Sequence, residues 1–244
     1  MSDATRRDGR QAAILALDTA TTQAVIAVGA PDGEPLGASM WPAGYRHGET
    51  LLPNIGRLLG EANIRKSRLR GIVVGTGPGA FTGLRVGLST AKGLAHALTL
   101  PVVGVPTSEA LLQAARDHVG DGPWVLLLPA GLADRVMCRA GEPARHLPGG
   151  HEPDLRPGER QIAIDLADRA PADALERGAQ AVRGLAVALL WLGAARLREQ
   201  PAGDDLARLV PEYVTLPRGV RVPVTDDAVA MTAEAPRAAG KGRD

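Results

Sequence analysis

The stretch that most constrains the fold is Gly75–Gly93, where glycine recurs through a strand end, a tight loop and a helical pattern. Of the four residues before it, Gly71-Ile72-Val73-Val74, three are β-branched and apolar, as in a buried strand. Three glycines interleaved with Pro78 then allow positive φ angles and a close approach of the backbone to another group. The chain is therefore expected to reverse direction at this loop.

A helix is predicted from Thr82 to Leu98, because apolar residues recur there at helical spacing. Gly83, Gly87 and Gly93 lie inside this pattern, and each costs a helix interior about 1 kcal/mol relative to alanine. A close contact with a second backbone would compensate for that cost.

The preceding helical stretch, Glu49–Gly60, carries a similar row of small residues at Gly56 and Gly60. Two helices with such rows indicate close helix pairing, either within the chain or across an interface.

Two nucleotide-binding motifs fit the glycine loop poorly. A P-loop requires Gly-Lys-Ser or Gly-Lys-Thr, and neither occurs in the chain. A dinucleotide-binding fingerprint needs an acid about 20 residues after the glycines. Here Gly77–Gly83 has one residue too many, and Glu109 lies beyond the next predicted strand.

Charge and composition argue against direct nucleic-acid binding. Lys and Arg number 28 against 27 Asp and Glu, and the chain has only one Phe, three Trp and two Tyr. With neither a basic excess nor many rings for stacking, a role on RNA would need a partner.

The lone Cys138 and the lack of an apolar signal in residues 1–11 predict a cytoplasmic protein. The apolar run Leu185–Ala195 is shorter than the ~20 residues of a membrane span and predicts a core helix.

Three strands are predicted at Ala13–Leu17, Val25–Val28 and Leu36–Met40, followed by helix, strand, helix and strand. This order resembles one lobe of the actin, sugar kinase and heat-shock ATPase superfold. The predicted fold class is therefore α/β, a two-lobed ribonuclease H-like fold with a smaller second lobe. Strands near Trp124–Leu128 and Val136–Cys138 would belong to that second lobe.

In that superfold an Asp/Thr turn between the first two strands touches nucleotide phosphate. Asp18, Thr19 and Thr21 occupy the corresponding place, which makes them candidates for a vestigial phosphate loop. The alternative is a turn whose side chains only satisfy their own backbone.

The sequence GTGPGAFTGLRVG also resembles the GPGSFTGLRIG signature of the TsaB (YeaZ) family, and Tyr45–Pro53 resembles that family's R-x-H-T-x-x-L-L-P segment. This resemblance implies a non-catalytic accessory subunit of the assembly that makes threonylcarbamoyladenosine in tRNA. The implied partners are a TsaD-like catalytic subunit and a TsaE-like ATPase, with tRNA bound only through the complex and a homodimer when the partner is absent. No cofactor is implied.

The resemblance places the partner interface on the two glycine-bearing helices. The residues it implies are His47, Leu51, Leu52, Ile55, Gly56, Gly60, Gly79, Phe81, Thr82, Gly83, Arg85, Gly87 and Gly93. The chain departs from the family at Pro129-Ala130-Gly131, where the family has Asp-Ala-Arg.

No complete catalytic constellation is found: H-x-x-x-H, H-E-x-x-H and G-x-S-x-G are all missing from the sequence. Neither catalytic nor metal-ligating residues are therefore predicted. His47 could be taken for a ligand, but it is interpreted as a polar residue at a helix start. The alternative function is a small-molecule kinase or ATPase that uses Asp18 and Thr21 at the phosphates.

The predicted organisation has four parts. They are a disordered N-terminus at 1–11, a first lobe with the partner-binding helices at 12–107, a reduced second lobe at 108–215 with a mobile loop at 142–160, and a disordered tail at 216–244.

Overall fold

The computed structural model describes residues 12–44 and 46–214, which form two sheets joined by helices. The first sheet has five strands in the order β3-β2-β1-β4-β5. Its elements are β1 (Ala13–Asp18), β2 (Gln23–Gly29), β3 (Pro35–Pro42), α1 (His47–Glu61), β4 (Leu69–Gly75), α2 (Phe81–Leu98) and β5 (Val102–Val105). β1, β2 and β3 form an antiparallel meander, whereas β4 and β5 run parallel to β1. The ends of β1 and β4 that carry the polar and glycine loops therefore lie side by side.

The second sheet has four strands in the order β8-β7-β6-β9. Its strands are β6 (Trp124–Pro129), β7 (Arg135–Cys138), β8 (Arg145–Leu147) and β9 (Arg160–Ala163). α3 (Thr107–His118) leads from the first sheet to the second, and α4 (Ala172–Glu199) follows β9. The mixed sheets and their strand order confirm the predicted α/β fold class, with the smaller sheet second.

α4 packs against both sheets and holds them together. One buried apolar cluster contains residues of both sheets, of α3 and of α4. Two glycines let α4 come close to a strand of each sheet. A Cβ at Gly193 would lie 2.2 Å from a methyl of Val73 in β4, and one at Gly178 would lie 1.9 Å from the carbonyl oxygen of Ala163 in β9. α4 is long and apolar enough to cross a membrane, but 61% of its apolar window is buried, as in the core helix of a soluble protein.

The segment 142–160, whose mobility stays a prediction, contains regular structure and ion pairs. It contains β8 and is fastened at both ends by ion pairs, Arg139 with Glu159 and Arg156 with Glu142. Apolar contacts of Ala144 and Leu147 with buried clusters also hold the segment, but the ion pairs leave no periodic apolar pattern in the sequence. α4 contains the apolar run Leu185–Ala195 for which a core helix is predicted, and it extends beyond that run at both ends.

The predicted strands and the helices over 49–60 and 82–98 are confirmed within one to two residues at most ends. The expected disordered segments at 1–11 and 216–244 lie outside the described residues, and the domain boundaries stay a prediction.

Candidate functional site

Asp18 is completely buried at the end of β1, where its carboxylate joins three segments. Oδ1 accepts a hydrogen bond from the backbone N–H of Ala20 at 2.6 Å, and Oδ2 accepts one from the hydroxyl of Thr107 at 2.6 Å. The Thr107 hydroxyl oxygen accepts in turn from the N–H of Gly77 at 3.0 Å. The carboxylate therefore fastens the β1–β2 turn, the glycine loop and the start of α3 to one another.

The surroundings of Asp18 leave no room for a ligand. Burial raises the pKa of its carboxyl to about 6, although the bonds from Thr107 and Ala20 oppose that rise. A Cβ at Gly75 would lie 1.7 Å from Oδ2, so only glycine fits at that position. The carboxylate is enclosed by its own chain.

Thr19 and Thr21 are also buried and bonded within the chain. The Thr19 hydroxyl donates to the carbonyl oxygen of Gly83 at 2.7 Å, and the Thr21 hydroxyl donates to that of Gln23 at 2.9 Å. The turn thus satisfies its own backbone, as the alternative interpretation had it. That Asp18, Thr19 and Thr21 are a vestigial phosphate loop stays a prediction.

Two glycines of α2, Gly83 and Gly87, face the interior. Gly83 receives the Thr19 hydroxyl, and a Cβ at Gly87 would lie 2.4 Å from that hydroxyl oxygen. Gly79 in the loop packs similarly, because its Cβ would lie 2.3 Å from the carbonyl oxygen of Ala20. These three glycines permit close packing on the β1–β2 turn, which corrects the expectation that Gly83 and Gly87 face a partner.

The predicted interface residues of α1 lie on two different faces of the helix. Leu51 and Ile55 are 1% and 4% exposed and belong to the core of the first sheet, so they are removed from the predicted interface. Leu52 is 53% exposed, and a Cβ at Gly56 or Gly60 would meet no atom within 4 Å. The outer face of α1 is therefore an exposed apolar residue followed by bare backbone. His47 begins the helix, and its side chain is not described.

α2 presents a comparable outer face at Gly93, where a Cβ would also meet nothing within 4 Å. Arg85 and Phe81, nearer the helix start, are engaged within the chain. The Arg85 guanidinium lies 3.8 Å from the centre of the Phe81 ring, and its Nε donates to the hydroxyl of Tyr213 at 3.1 Å. Thr82 is exposed beside them.

Sequence reasoning missed the contribution of the segment after α4. The Phe81 and Tyr213 rings lie 5.1 Å apart. The Thr76 hydroxyl donates to Oε1 of Glu212 at 2.6 Å, and the Glu212 N–H donates to the Thr76 carbonyl at 2.8 Å. Burial raises the pKa of Glu212. The available signal is that Val210-Pro211-Glu212-Tyr213-Val214 resembles the closing P-x-Y-hydrophobic segment of the TsaB (YeaZ) family, and this does not indicate what these residues contact.

A cleft of about 750 Å³ opens between the glycine loop, the β6–β7 turn and this closing segment. Its lining residues are Pro78, Gly79, Ala80, Phe81, Pro129, Ala130, Gly131, Leu132, Ala133, Asp134, Val136, Glu212, Tyr213 and Val214. The charged residues among these are both acids, and Asp134 accepts bonds from His146 and from the Gly149 N–H, each at 2.9 Å. A cleft with apolar walls and carboxylates is poorly suited to a phosphate group.

Residues 12–44 and 46–214 contain no group of three His, Cys, Asp or Glu side chains that could hold a metal ion. Within this part of the chain His146 pairs with Asp134, and His151 lies 3.4 Å from the carbonyl oxygen of Gly149.

Comparison with known proteins identifies relatives over part of the chain. Residues 42–152 match the family model of TsaD, tRNA N6-adenosine threonylcarbamoyltransferase. An uncharacterized protein of Mycobacterium leprae is 41% identical over 101 residues, which cover 40% of this chain and 28% of that protein. The tRNA threonylcarbamoyladenosine biosynthesis protein TsaB of Escherichia coli is 34% identical over 102 residues, 42% of this chain and 43% of its own. The chain thus spans less than half the length of these curated relatives.

Among solved structures, YeaZ from Pseudomonas aeruginosa matches 83% of this chain and 100% of its own chain, with a TM-score of 0.65 and 25% identity. These similarities confirm the resemblance to TsaB (YeaZ) proteins that the glycine stretch predicts.

Proposed function

We propose, from the similarity to TsaB (YeaZ) proteins, that this chain is a non-catalytic accessory subunit in the synthesis of threonylcarbamoyladenosine in tRNA. In this proposal it binds a TsaD-like catalytic subunit in the cytoplasm. A TsaE-like ATPase joins the assembly, and tRNA is reached only through the complex. The near-zero net charge supports this division, because a subunit of this charge has little electrostatic attraction for RNA.

The observation that carries the proposal is the outer surface of α1 and α2. Leu52, Gly56 and Gly60 follow one another at four-residue spacing on α1, and Gly93 lies exposed on α2. Such a spacing puts residues on one helix face. Exposed helical glycines cost stability without any contact within the chain to compensate. The packing of a partner helix directly against the backbone at those glycines would compensate for this cost. Leu52 supplies an apolar anchor beside them.

The alternative, a kinase or ATPase that uses Asp18 and Thr21, has less support. Both side chains are buried and bonded inside the chain. Such an enzyme would also need a second phosphate-binding acid at the turn that follows β6. That place is taken by Pro129-Ala130-Gly131, none of which is acidic.

Reconstitution tests the proposal at the level of function. The purified chain alone should neither hydrolyse ATP at a useful rate nor modify tRNA. Modification should appear when a TsaD-like subunit, a TsaE-like ATPase and the adenylate-forming enzyme are added. Equal modification by a mixture that lacks this chain would contradict the accessory role.

Single substitutions test the surface itself. Gly56→Leu, Gly60→Leu and Gly93→Leu should each leave the melting temperature near that of the wild type and abolish co-elution with the TsaD-like subunit. Ala179→Leu, on an exposed position of α4, is the matched control and should co-elute. If all three glycine variants still co-elute, these helices are not the interface.

A further inference from the structure

The exposed face of α4 is the floor of a second, open groove. This groove has a volume of about 580 Å³ and lies between the β2–β3 turn and the end of α3. Its floor includes Val187 and Trp191, which are 37% and 53% exposed. Because these two residues are four positions apart, they lie on one face of the helix. We call this surface the Trp191 groove.

Two glycines hold the walls of the Trp191 groove against its floor. Gly33 belongs to the β2–β3 turn and has a φ angle of +99°, and a Cβ there would lie 3.3 Å from Cα of Trp191. A Cβ at Gly184 of α4 would lie 2.2 Å from Cδ2 of His118, the last residue of α3. The groove is therefore formed by closely packed elements, and a ligand would meet walls that are already in place.

Trp191 differs from the other two tryptophans of the chain because it has no partner. The indole N–H of Trp41 donates to the Thr50 hydroxyl at 3.1 Å, and that of Trp124 donates to the carbonyl oxygen of Gly120 at 3.0 Å. Within the part of the chain that the structure describes, the Trp191 ring has neither a hydrogen bond nor a stacked neighbour. A half-exposed indole is a typical anchor of a protein interface, since it offers a large apolar area and one N–H donor.

The walls of the Trp191 groove carry carboxylates on both sides. Asp32 and Glu34 lie on the turn and Asp117 on α3, and the groove has no Lys or Arg among its described lining residues. The Asp32 carboxylate accepts from the Glu34 N–H, and that of Asp117 accepts from the Gln113 side-chain amide, each at 3.1 Å. Arg198 donates to the carbonyl oxygen of Asp32 and not to its carboxylate. Neither aspartate has an ion pair in the described residues, so their charge favours a cationic ligand.

The chain itself shows which cation its aromatic rings accept. The guanidinium of Arg160 lies 4.2 Å from the centre of the Trp124 ring, and that of Arg85 lies 3.8 Å from the centre of the Phe81 ring. A guanidinium is planar, so it stacks on an indole while its N–H groups remain free to bind carboxylates at the side. Arginine is therefore the cation that the ring and the two acidic walls of the groove suit best.

We propose that the Trp191 groove is a docking surface for a partner protein that places an arginine side chain on the Trp191 ring, between the carboxylates of the two walls. An apolar residue beside that arginine covers Val187. The partner is a protein and not RNA, because the carboxylates of the walls repel phosphate groups.

This docking surface is separate from the one proposed on α1 and α2. Ile14 and Ala16 of β1 pack in the cluster that contains α4, whereas Leu15 and Leu17 pack in the cluster that contains α1 and α2. Successive residues of a strand point to opposite faces of a sheet. The Trp191 groove therefore lies on the other side of the first sheet, and one surface can be disabled without the other.

A pair of short peptides tests the groove on the full chain. The probe is acetyl-Leu-Arg-Ala-Leu-Arg-amide with a fluorescent label, and its control carries citrulline, which has nearly the shape of arginine without the charge, at both arginine positions. By fluorescence anisotropy the arginine peptide should bind about tenfold more tightly than the control. It should also shift the NMR signal of the Trp191 indole N–H more than those of Trp41 and Trp124. Raising sodium chloride from about 50 to about 500 mM should weaken its binding several-fold, since the acidic walls are exposed.

Substitutions locate the binding. Trp191→Ala should weaken binding of the arginine peptide about tenfold, and Asp117→Asn about threefold. Asp205→Asn is the matched control, because Asp205 is an exposed acid outside the groove, and it should bind the peptide as the wild type does. Trp191→Ala should still co-elute with the TsaD-like subunit, and Gly56→Leu should still bind the peptide, so a failure of either proposal is distinguished from a failure of the other.

Equal binding of the two peptides, wild-type affinity in Trp191→Ala, or an unmoved Trp191 indole signal at about 5 mM arginine peptide would overturn the proposal. A wild-type dimer in size-exclusion chromatography that Trp191→Ala converts to a monomer would also overturn it, because a second copy of the chain would then occupy the groove. Should Trp191→Ala fail to fold, the surface charge reversal Asp117→Lys carries the same test and should remove most of the preference for the arginine peptide.

Discussion

Arg139 and Glu159 form a two-pronged ion pair in which both side chains are buried. Nε of Arg139 lies 2.7 Å from Oε1 of Glu159, and Nη2 lies 2.9 Å from Oε2. The side chains are 7% and 6% exposed. The hydrogen bonds from Arg139 lower the pKa of Glu159 to about 2. This pair joins the end of β7 to the start of β9 and so holds the segment between them.

Breaking this pair on one side should be costly. Glu159→Gln leaves a buried guanidinium without its counter-charge and should lower the free energy of unfolding by about 3 kcal/mol in urea titrations. The double variant Arg139→Met and Glu159→Met should lose much less, because no charge is left unpaired. Glu142→Gln, which breaks the exposed pair with Arg156, should have a much smaller effect. A loss in the double variant as large as that in Glu159→Gln would contradict this prediction.

The buried carboxyl of Asp18 should make stability depend on pH. Its folded-state pKa of about 6 lies above the ordinary value of 3.8, so the folded chain holds this proton more tightly than the unfolded chain. The Asp18 contribution to the free energy of unfolding is therefore greatest below about pH 4. It should fall by about 3 kcal/mol as the pH rises to about 6. Asp18→Asn lacks this titration, so the difference between wild type and variant, measured from pH 4 to 7, isolates it. A difference that stays constant over that range would contradict the assignment.

Two glycines of the same helix should respond oppositely to alanine. Gly87→Ala places a methyl group 2.4 Å from the buried Thr19 hydroxyl and should destabilise the fold by about 1 to 3 kcal/mol. Gly93→Ala places it in open space and should stabilise the helix by up to about 1 kcal/mol. Urea unfolding of both variants measures the contrast, and equal shifts would show that the two positions do not differ in packing.

The Arg85 guanidinium should stabilise the contact between α2 and the segment after α4. Arg85→Ala removes the stacking on Phe81 and the hydrogen bond to Tyr213. In a double-mutant cycle with Phe81→Leu, a coupling energy of about 0.5 to 1 kcal/mol is expected. Tyr213→Phe removes only the hydroxyl and separates the hydrogen bond from the stacking. A coupling energy near zero would mean that the observed stacking does not stabilise the chain.

The sequence predicts the first sheet well, because short apolar runs bounded by glycine and polar turns specify strands locally. It could not assign directions to the glycines of α2. Gly87 and Gly93 carry the same local signal, yet one lies against Thr19 and the other against nothing. The difference is set by where β1 ends, which is 69 or more positions earlier in the chain. Leu51 and Leu52 show the same limit, since helical spacing places neighbours on different faces without saying which face is the core.

The bonds between Thr76 and Glu212 join residues 136 positions apart. Because a chain is synthesised from its N-terminus, the carbonyl and hydroxyl of Thr76 spend most of translation without the partners that they have in the finished fold. The strands and helices of the first sheet can form earlier, but the cleft gains its last wall only when residues 211–214 arrive. A ribosome-bound fragment that ends before Pro211 should therefore show native protection from exchange in β1 and β2 and at the amides of Thr76 and Gly77, whose acceptors on Val105 and Thr107 are already present.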